Sequence, residues 1–342
     1  MSPLVFVANA ADSSISTFRL EGGSLDRLAV TTGITGCSNF AVDAERGLLH
    51  ASVKADSDYP QAGILTLSID RETGVLTPES RRALPGGAMN YLTLTRDGSA
   101  LLGAAYSAGY GIVCPVVDGE VLEPSAEIRF PRLHSVLASD DGRFAYFVSL
   151  EADLIAQYAL TDELKLRPLE PATVPAPTRS GPRHIALDDQ RRSAYVLTEF
   201  SAEVLHFERH PDTGVLEYRG FAPAHDPAAG LSRSVIDEDP RQHHYVWGAD
   251  IHVGDGVVWA SERTASTLAA LPLGDDGAVS PADTFTTTEP QPRGFALSHD
   301  RKHLVAAGER STTVTLYAVD GAELRELQRV ETGGGANWVR FA

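Results

Sequence analysis

The chain has 342 residues, 43% of them hydrophobic, enough to bury a sizeable core and to exclude a disordered chain. Its formal charge of −17 at pH 7, with no Lys/Arg-rich run to offset it locally, argues against nucleic acid and anionic membrane as partners. Cys37 and Cys114 are far apart and form no CxxC pattern, so neither a disulfide framework nor a thiolate metal site is indicated, and a reduced cytoplasmic setting fits.

The first segment, "PLVFVANAADSSISTFRL", alternates like strands and lacks the basic start of a signal peptide. No apolar run in the chain approaches the roughly 20 residues that cross a bilayer. Six hairpins follow in order: "SNFAVDAERGLLHASV", "MNYLTLTRDGSALLGAAY", "LHSVLASDDGRFAYFVSL", "PRHIALDDQRRSAYVLTEF", "ADIHVGDGVVWASER" and "PRGFALSHDRKHLVAAGER". Their turns hold Asp, Gly and Asn, and their flanks are β-branched, aromatic or small. After most hairpins come a third strand, such as "EVLHFER" or "TVTLYAVD", and a fourth, such as "GVLEYRG" or "ELRELQRV". Units of about 45–65 residues with this content predict four-stranded propeller blades. The closing "GGGANWVRFA" reads as a first strand without partners, and the N-terminal segment as a second and third strand without a first. Joined, they make a seventh blade and leave no exposed sheet edge there. The expectation is an all-β, seven-bladed propeller over residues 1–342, one domain, closed by pairing of its terminal strands. The long segment 222–248 is expected to lie as a loop over one face.

In each hairpin the start of the first strand and the end of the second lie together, opposite the tight turn. The turns "SDDGR", "LDDQRRS" and "SHDRK" therefore share one face. On the other face meet Asn90, His134, Arg183, Asp250, Arg293 and Asn337, with Tyr106, Glu199, Arg263 and Glu309 from the second strands. Such a ring around a channel mouth suits a small anionic or polyhydroxylated ligand. Three arginines at equivalent positions need an anion or carboxylate partners. Glu199 is a candidate base or a structural partner of Arg183. Asp250 and His252, two apart on one strand, point the same way, yet no third metal ligand is evident. Tyr91 and the tryptophans read as packing, "GGG" at 333–335 as a turn, and His184, by alternation, as a bystander pointing away from Arg183.

The motifs "GPRH", "ADIH", "RTAS" and "QPRGF", within a match spread over nearly the whole chain, resemble the seven-bladed propeller lactonase family, which includes bacterial propeller-type 6-phosphogluconolactonases. Fungal carboxymuconate cycloisomerases are similar but more remote. The resemblance implies an active site of His134, Arg183, Glu199 and Arg263; Arg293, Asp250, His252, Asn90, Tyr106 and Asn337, placed by the reading of the strands themselves, are the expected substrate contacts. It implies a hydrolase acting on a sugar lactone, 6-phosphogluconolactone or an unphosphorylated relative. Lactone cycloisomerisation and ligand binding without catalysis are the alternatives. No cofactor or metal is expected, the partner is a small-molecule lactone, and the protein is expected to be monomeric. The chain departs from the family pattern at the expanded "VKADSDYPQAG", in the segment 222–248 and at Asn337, which stands where the bacterial enzymes carry an apolar residue.

Overall fold

In a computed structural model describing residues 2–188 and 190–342, seven antiparallel sheets follow one another along the chain. Counting the blade made from both termini as the first, the inner strands are Ala336–Phe341, Phe40–Asp43, Tyr91–Leu94, Leu133–Ala138, Pro182–Asp188, Gly248–Val253 and Pro292–Leu297. Each packs against the inner strands of the two neighbouring blades, and the series returns on itself as a ring around a channel. The seven-bladed propeller expected from the repeats is the fold. The two ends close it: Val5 lies opposite Phe341 and Val7 opposite Val339, and Leu4 and Ala342 exchange backbone bonds of 2.9 Å.

Six blades are plain four-stranded meanders. In the third, the outer edge splits into Glu120–Val121 and Ala126–Arg129, both paired with Tyr110–Val117. Pro124 lies between the two pieces, and without an N–H it cannot continue a ladder.

Alternation along the strands sends apolar side chains between adjacent blades. Tyr195, Leu197 and Val204 of the fifth blade meet Ile251, Val258 and Leu271 of the sixth. Val5 and Phe18 of the first meet Val305 and Leu316 of the seventh. Each such side chain contributes about 1.5–3 kcal/mol on full burial, so the ring is held by its blade-to-blade faces. Gly98, in the third blade's hairpin turn, has φ of 65°, and a Cβ there would lie 2.3 Å from Arg46 Nη1 of the neighbouring turn. That turn requires glycine for both reasons. Asp189, in the fifth blade's turn "LDDQRR", lies outside the described residues.

The segment 222–248 holds one 3₁₀ turn, Pro227–Ala229, and a one-turn helix, Pro240–His243. It crosses the face away from the hairpin turns, as expected. Asp237 reaches Arg132 at 2.7 Å, and Arg233 donates to the carbonyl of Arg179 at 3.1 Å. Among the described residues, no helix is long and apolar enough to cross a membrane.

Candidate functional site

Five inner strands carry a register shift near their first residues: at His134, at Arg183, at Ala249 and Asp250, at Arg293 and at Asn337. An extra residue at the same level of successive blades bends each strand and re-aims its side chains, as bulges near functional sites do. The plain hairpin rule brought these positions to one mouth. The bulges decide which side chains meet there.

Across the fifth, sixth and seventh blades the charges alternate in a chain. Arg183 Nε donates to Glu199 Oε2 at 2.7 Å, and Arg263 Nη2 donates to the same oxygen at 3.1 Å. Arg263 Nη1 lies 4.0 Å from Glu309 Oε2, and Arg293 Nη1 donates to Glu309 Oε1 at 2.7 Å. Three guanidinium groups thus face two carboxylates directly, and the ionised Asp250, which acts on Arg183 from behind His184, balances the third. Burial alone would raise the pKa of Glu199, but Arg263 and Arg183 outweigh it and hold the group below its ordinary value. The same contest brings Glu309 down to about 2 through Arg293 and Arg263. Burial and the neighbouring arginines push Arg263 down to about 9 against the pull of Glu199, which still leaves it charged at neutral pH. Burial works against the charge of Arg293 too, but Glu309 more than compensates and raises its pKa. With 32% of its side chain exposed, Arg293 is the most accessible of the three, whereas Arg183 and Arg263 are 1% and 3% exposed.

Arg183 is fixed from several sides. Its Nη1 donates to the carbonyl of Ala249 at 2.6 Å and to His184 Nε2 at 2.9 Å. His184 Nδ1 in turn meets Asp250 Oδ1 at 2.8 Å. Burial and the charge of Arg183 lower the pKa of His184 to about 3, so the ring is neutral. The only tautomer that serves both contacts carries its proton on Nδ1, donated to Asp250, and accepts from Arg183 at Nε2. His184 is therefore no bystander pointing away from Arg183. The register shift at Arg183 breaks the alternation on which that expectation rested, and the two side chains touch.

Asp250 also stands elsewhere than expected. It is 1% exposed, with Oδ1 held by His184 and by the N–H of Ile251, and Oδ2 by His252 and the N–H of Phe295. Burial opposes its charge, yet His252 and His184 hold its pKa well below the ordinary value. It supports the mouth from behind and offers no face to a ligand. His252 does point the same way as Asp250, at 3.3 Å, but two residues further along the strand it lines the opposite end of the channel. Neither is a substrate contact at the mouth. Among the described residues no three His, Cys, Asp or Glu side chains come together as a metal site.

His134 sits at the fourth blade's bulge, 5% exposed, with its ring 5.5 Å from Tyr106 and 5.1 Å from His184. Burial, then the charge of Arg183, lowers its pKa well below the ordinary value and leaves it neutral. Asn90 holds the backbone beside it: Nδ2 donates to the carbonyl of His134 at 2.5 Å, and Oδ1 accepts from the N–H of Tyr106. The same Nδ2 is 3.5 Å from His134 Nδ1, too long to impose a tautomer. Asn90 thus ties the third blade to the fourth. The Tyr106 hydroxyl accepts from Arg132 at 3.2 Å, beside a cavity of about 490 Å³ bordered by Arg132, Glu151 and Asp237. Asn337 is buried at the same level, and its Oδ1 has no partner among the described residues.

Two contributors escaped the sequence reading. Trp247, expected to fill space, donates from Nε1 to Glu199 Oε1 at 3.3 Å and lies under the guanidinium of Arg263, 3.6 Å from the ring centroid. Glu309, which topology brought to the mouth without a role, is the second carboxylate of the charge chain. The signal for Glu309 was its place at the end of a second strand, equivalent to that of Glu199. Nothing in the sequence set Trp247 apart from the other tryptophans.

The family described as "Lactonase, 7-bladed beta-propeller" matches residues 5–341. Over 346 aligned residues the chain is 28% identical to the 6-phosphogluconolactonases of Enterobacter sp. (strain 638) and Klebsiella pneumoniae, covering 99% of this chain and 98% of theirs. Among solved structures, the periplasmic gluconolactonase of Pseudomonas aeruginosa superposes with a TM-score of 0.85 at 23% identity, covering 100% of this chain and 99% of that one. At that identity the likeness speaks to the fold.

Proposed function

The chain belongs to the seven-bladed β-propeller lactonase family, and on that premise we propose that it hydrolyses a sugar lactone of the gluconolactone type at the mouth formed by His134, Arg183, Glu199, Arg263, Glu309 and Arg293. The observation that carries this reading is a buried neutral imidazole, His134, next to a fixed chain of three arginines of which Arg293 is accessible. Lactone hydrolysis needs those two things. A base takes a proton from water as its oxygen attacks the carbonyl carbon, and positive charge stabilises the oxyanion that develops.

In this scheme His134 takes the water proton. The tetrahedral intermediate collapses with cleavage of the ring C–O bond, and the proton passes from His134 to the departing alkoxide, giving the open hydroxy acid. Glu199 is a poor base, because Arg183 and Arg263 share one of its oxygens and Trp247 donates to the other. Its part is to fix Arg183 and Arg263. Arg293, the accessible guanidinium, holds the substrate's carbonyl or hydroxyl oxygens.

Three arginines already balanced by Glu199, Glu309 and Asp250 are a poor match for a phosphate dianion. Arg132, the next arginine at the mouth, is already paired with Asp237 and Glu151. The charge count therefore favours the unphosphorylated ring, although the curated relatives are named for the 6-phospho ester. Hydrolysis of glucono-δ-lactone and its 6-phosphate, corrected for spontaneous opening, tests both levels. Turnover with kcat/KM for the unphosphorylated lactone at least equal to that for the phosphorylated one is expected. A preference above about tenfold, roughly 1.4 kcal/mol, for the phosphate would overturn the substrate choice, and no turnover of either would overturn the activity. Action in the cytoplasm belongs to the same proposal, supported by Cys37 and Cys114, both buried and unpaired, and cell fractionation checks it.

A further inference from the structure

The charge chain does not absorb every polar group at the mouth. The inner strands of the first, second and third blades open on Asn337, Asn39 and Asn90, at the level where the fourth, fifth and seventh carry His134, Arg183 and Arg293. Two of these amides staple neighbouring blades: Asn39 Nδ2 donates to the carbonyl of Met89 at 2.8 Å, and Asn90 Nδ2 to that of His134. Asn337 makes no such bond. It is 4% exposed, and neither end of its amide has a hydrogen-bond partner among the described residues. The register shift that leaves His134, Arg183 and Arg293 out of their ladders leaves Asn337 out in the same way, so its side chain is turned to the same mouth. Its backbone lies against the seventh blade: a Cβ added at Gly294 would stand 2.5 Å from the Asn337 carbonyl oxygen, which sets this amide beside Arg293.

A second amide shares the carboxylate that holds Arg293. Gln291 Nε2 donates to Glu309 Oε2 at 2.5 Å, while Arg293 Nη1 donates to the other oxygen. With Nε2 fixed there, Oε1 can only accept, and it is buried without a donor among the described residues. The backbone of Gln291 has φ of 59°, in the region that favours glycine. Glycine does hold the equivalent place, two residues before the bulge, at Gly181 and Gly335, with φ of 65° and 69°. A glutamine set there against its backbone preference points to a use for its side chain. A buried amide oxygen without a donor costs free energy that a ligand hydroxyl can return.

On the premise of the lactone hydrolysis above, we propose that Asn337 and Gln291 read the ring hydroxyls of the substrate and so set a preference for polyhydroxylated lactones over plain ones. A sugar hydroxyl donates and accepts at once, so it can serve an amide oxygen and the guanidinium of Arg293 together. Nothing holds the Asn337 amide, and a half-turn of its terminal torsion presents either Nδ2 or Oδ1. A carboxylate or phosphate ester dianion has no proton to give these oxygens, and an apolar ring leaves both unmet.

The test compares kcat/KM for glucono-δ-lactone with that for δ-valerolactone, the same ring without hydroxyls, each corrected for spontaneous opening. Calorimetric binding of gluconolactam, the ring amide, adds a reading that needs no turnover. The wild type is expected to prefer glucono-δ-lactone by at least about a hundredfold. Asn337→Ala is expected to lower kcat/KM for glucono-δ-lactone at least about tenfold and to weaken gluconolactam as much, with δ-valerolactone turnover at the wild-type level and the melting temperature not reduced. Gln291→Gly, which suits the backbone at that place, should lower the same preference and carries the test if Asn337→Ala does not fold. Equal loss for both lactones, no binding of gluconolactam, binding indifferent to both substitutions, or a wild-type preference below about tenfold would each overturn the proposal. Gluconolactam binding that Asn337→Ala weakens, with neither lactone turned over, would remove the activity and leave the reading of hydroxyls standing.

Discussion

The two ends of the channel are built from the same seven strands, yet they handle charge in opposite ways. At the turn end most charges are paired locally, with the arginine reaching solvent. Arg46 answers Asp43 and Arg191 answers Asp188 within single turns, each three residues apart. At the mouth the charges are buried, come from different blades, and depend on one another along Arg183, Glu199, Arg263, Glu309 and Arg293. A local pair that is exposed on both sides, such as Arg301 with Asp255, contributes little and can be removed singly. A buried chain cannot lose one member without stranding the next. The difference teaches where chemistry can be held in this fold: interdependence fixes groups to the accuracy that catalysis requires.

Removing Arg183 should break the comparison hardest. Arg183→Ala strands Glu199 and His184, and kcat/KM for the lactone is expected to fall by about 10²-fold, the cost of misplacing the groups it anchors. Stability is expected to fall by about 3–5 kcal/mol, as for other broken buried pairs, in urea unfolding. Glu199→Gln should lower kcat at least tenfold, since both arginines lose their common anchor. Asp250→Asn tests the support behind the mouth. The amide cannot hold the His184 tautomer as the carboxylate does, and kcat is expected to drop about tenfold to a hundredfold with KM little changed. An equal rise in KM would place Asp250 in substrate binding after all.

The pH dependence of stability separates the ends more gently. The folded pKa of His184, about 3, lies below the ordinary 6.5, so its contribution is fully present above pH 6.5 and is lost as the pH falls from 6.5 toward 3. The unfolding free energy should decline through that window by up to about 1.4 kcal/mol per pH unit for this one group, and His184→Phe should flatten the decline. At the turn end, Arg301→Ala removes only an exposed pair with Asp255. It should change stability by no more than about 0.5 kcal/mol and leave kcat/KM unaltered. A large effect there would erase the distinction between the two ends.

Most of the ring was legible in the sequence because its determinants are local. Hairpin turns, alternation and the two unpaired terminal strands predict seven blades and their closure. The hairpin rule also brought His134, Arg183, Glu199, Arg263 and Arg293 to one mouth. What stayed hidden depends on one-residue irregularities. The register shift at Arg183 turns His184 from a supposed bystander into the link between Arg183 and Asp250. A bulge adds a single residue to one strand and leaves no composition signal. The same limit explains Asp250 and His252. Their two-residue spacing correctly predicts a shared direction, but depth along the channel comes from the register of the whole blade, which places one behind the mouth and the other at the far end. Trp247 was missed for a different reason. It closes a long irregular segment, where no periodicity indicates where a side chain lands.

The most direct test of a base at the mouth is His134→Ala, measured as kcat/KM for glucono-δ-lactone corrected for spontaneous opening, alongside the melting temperature. A fall of about 10²–10⁴ with the melting transition retained is the predicted result. Wild-type turnover in the folded variant would contradict the account.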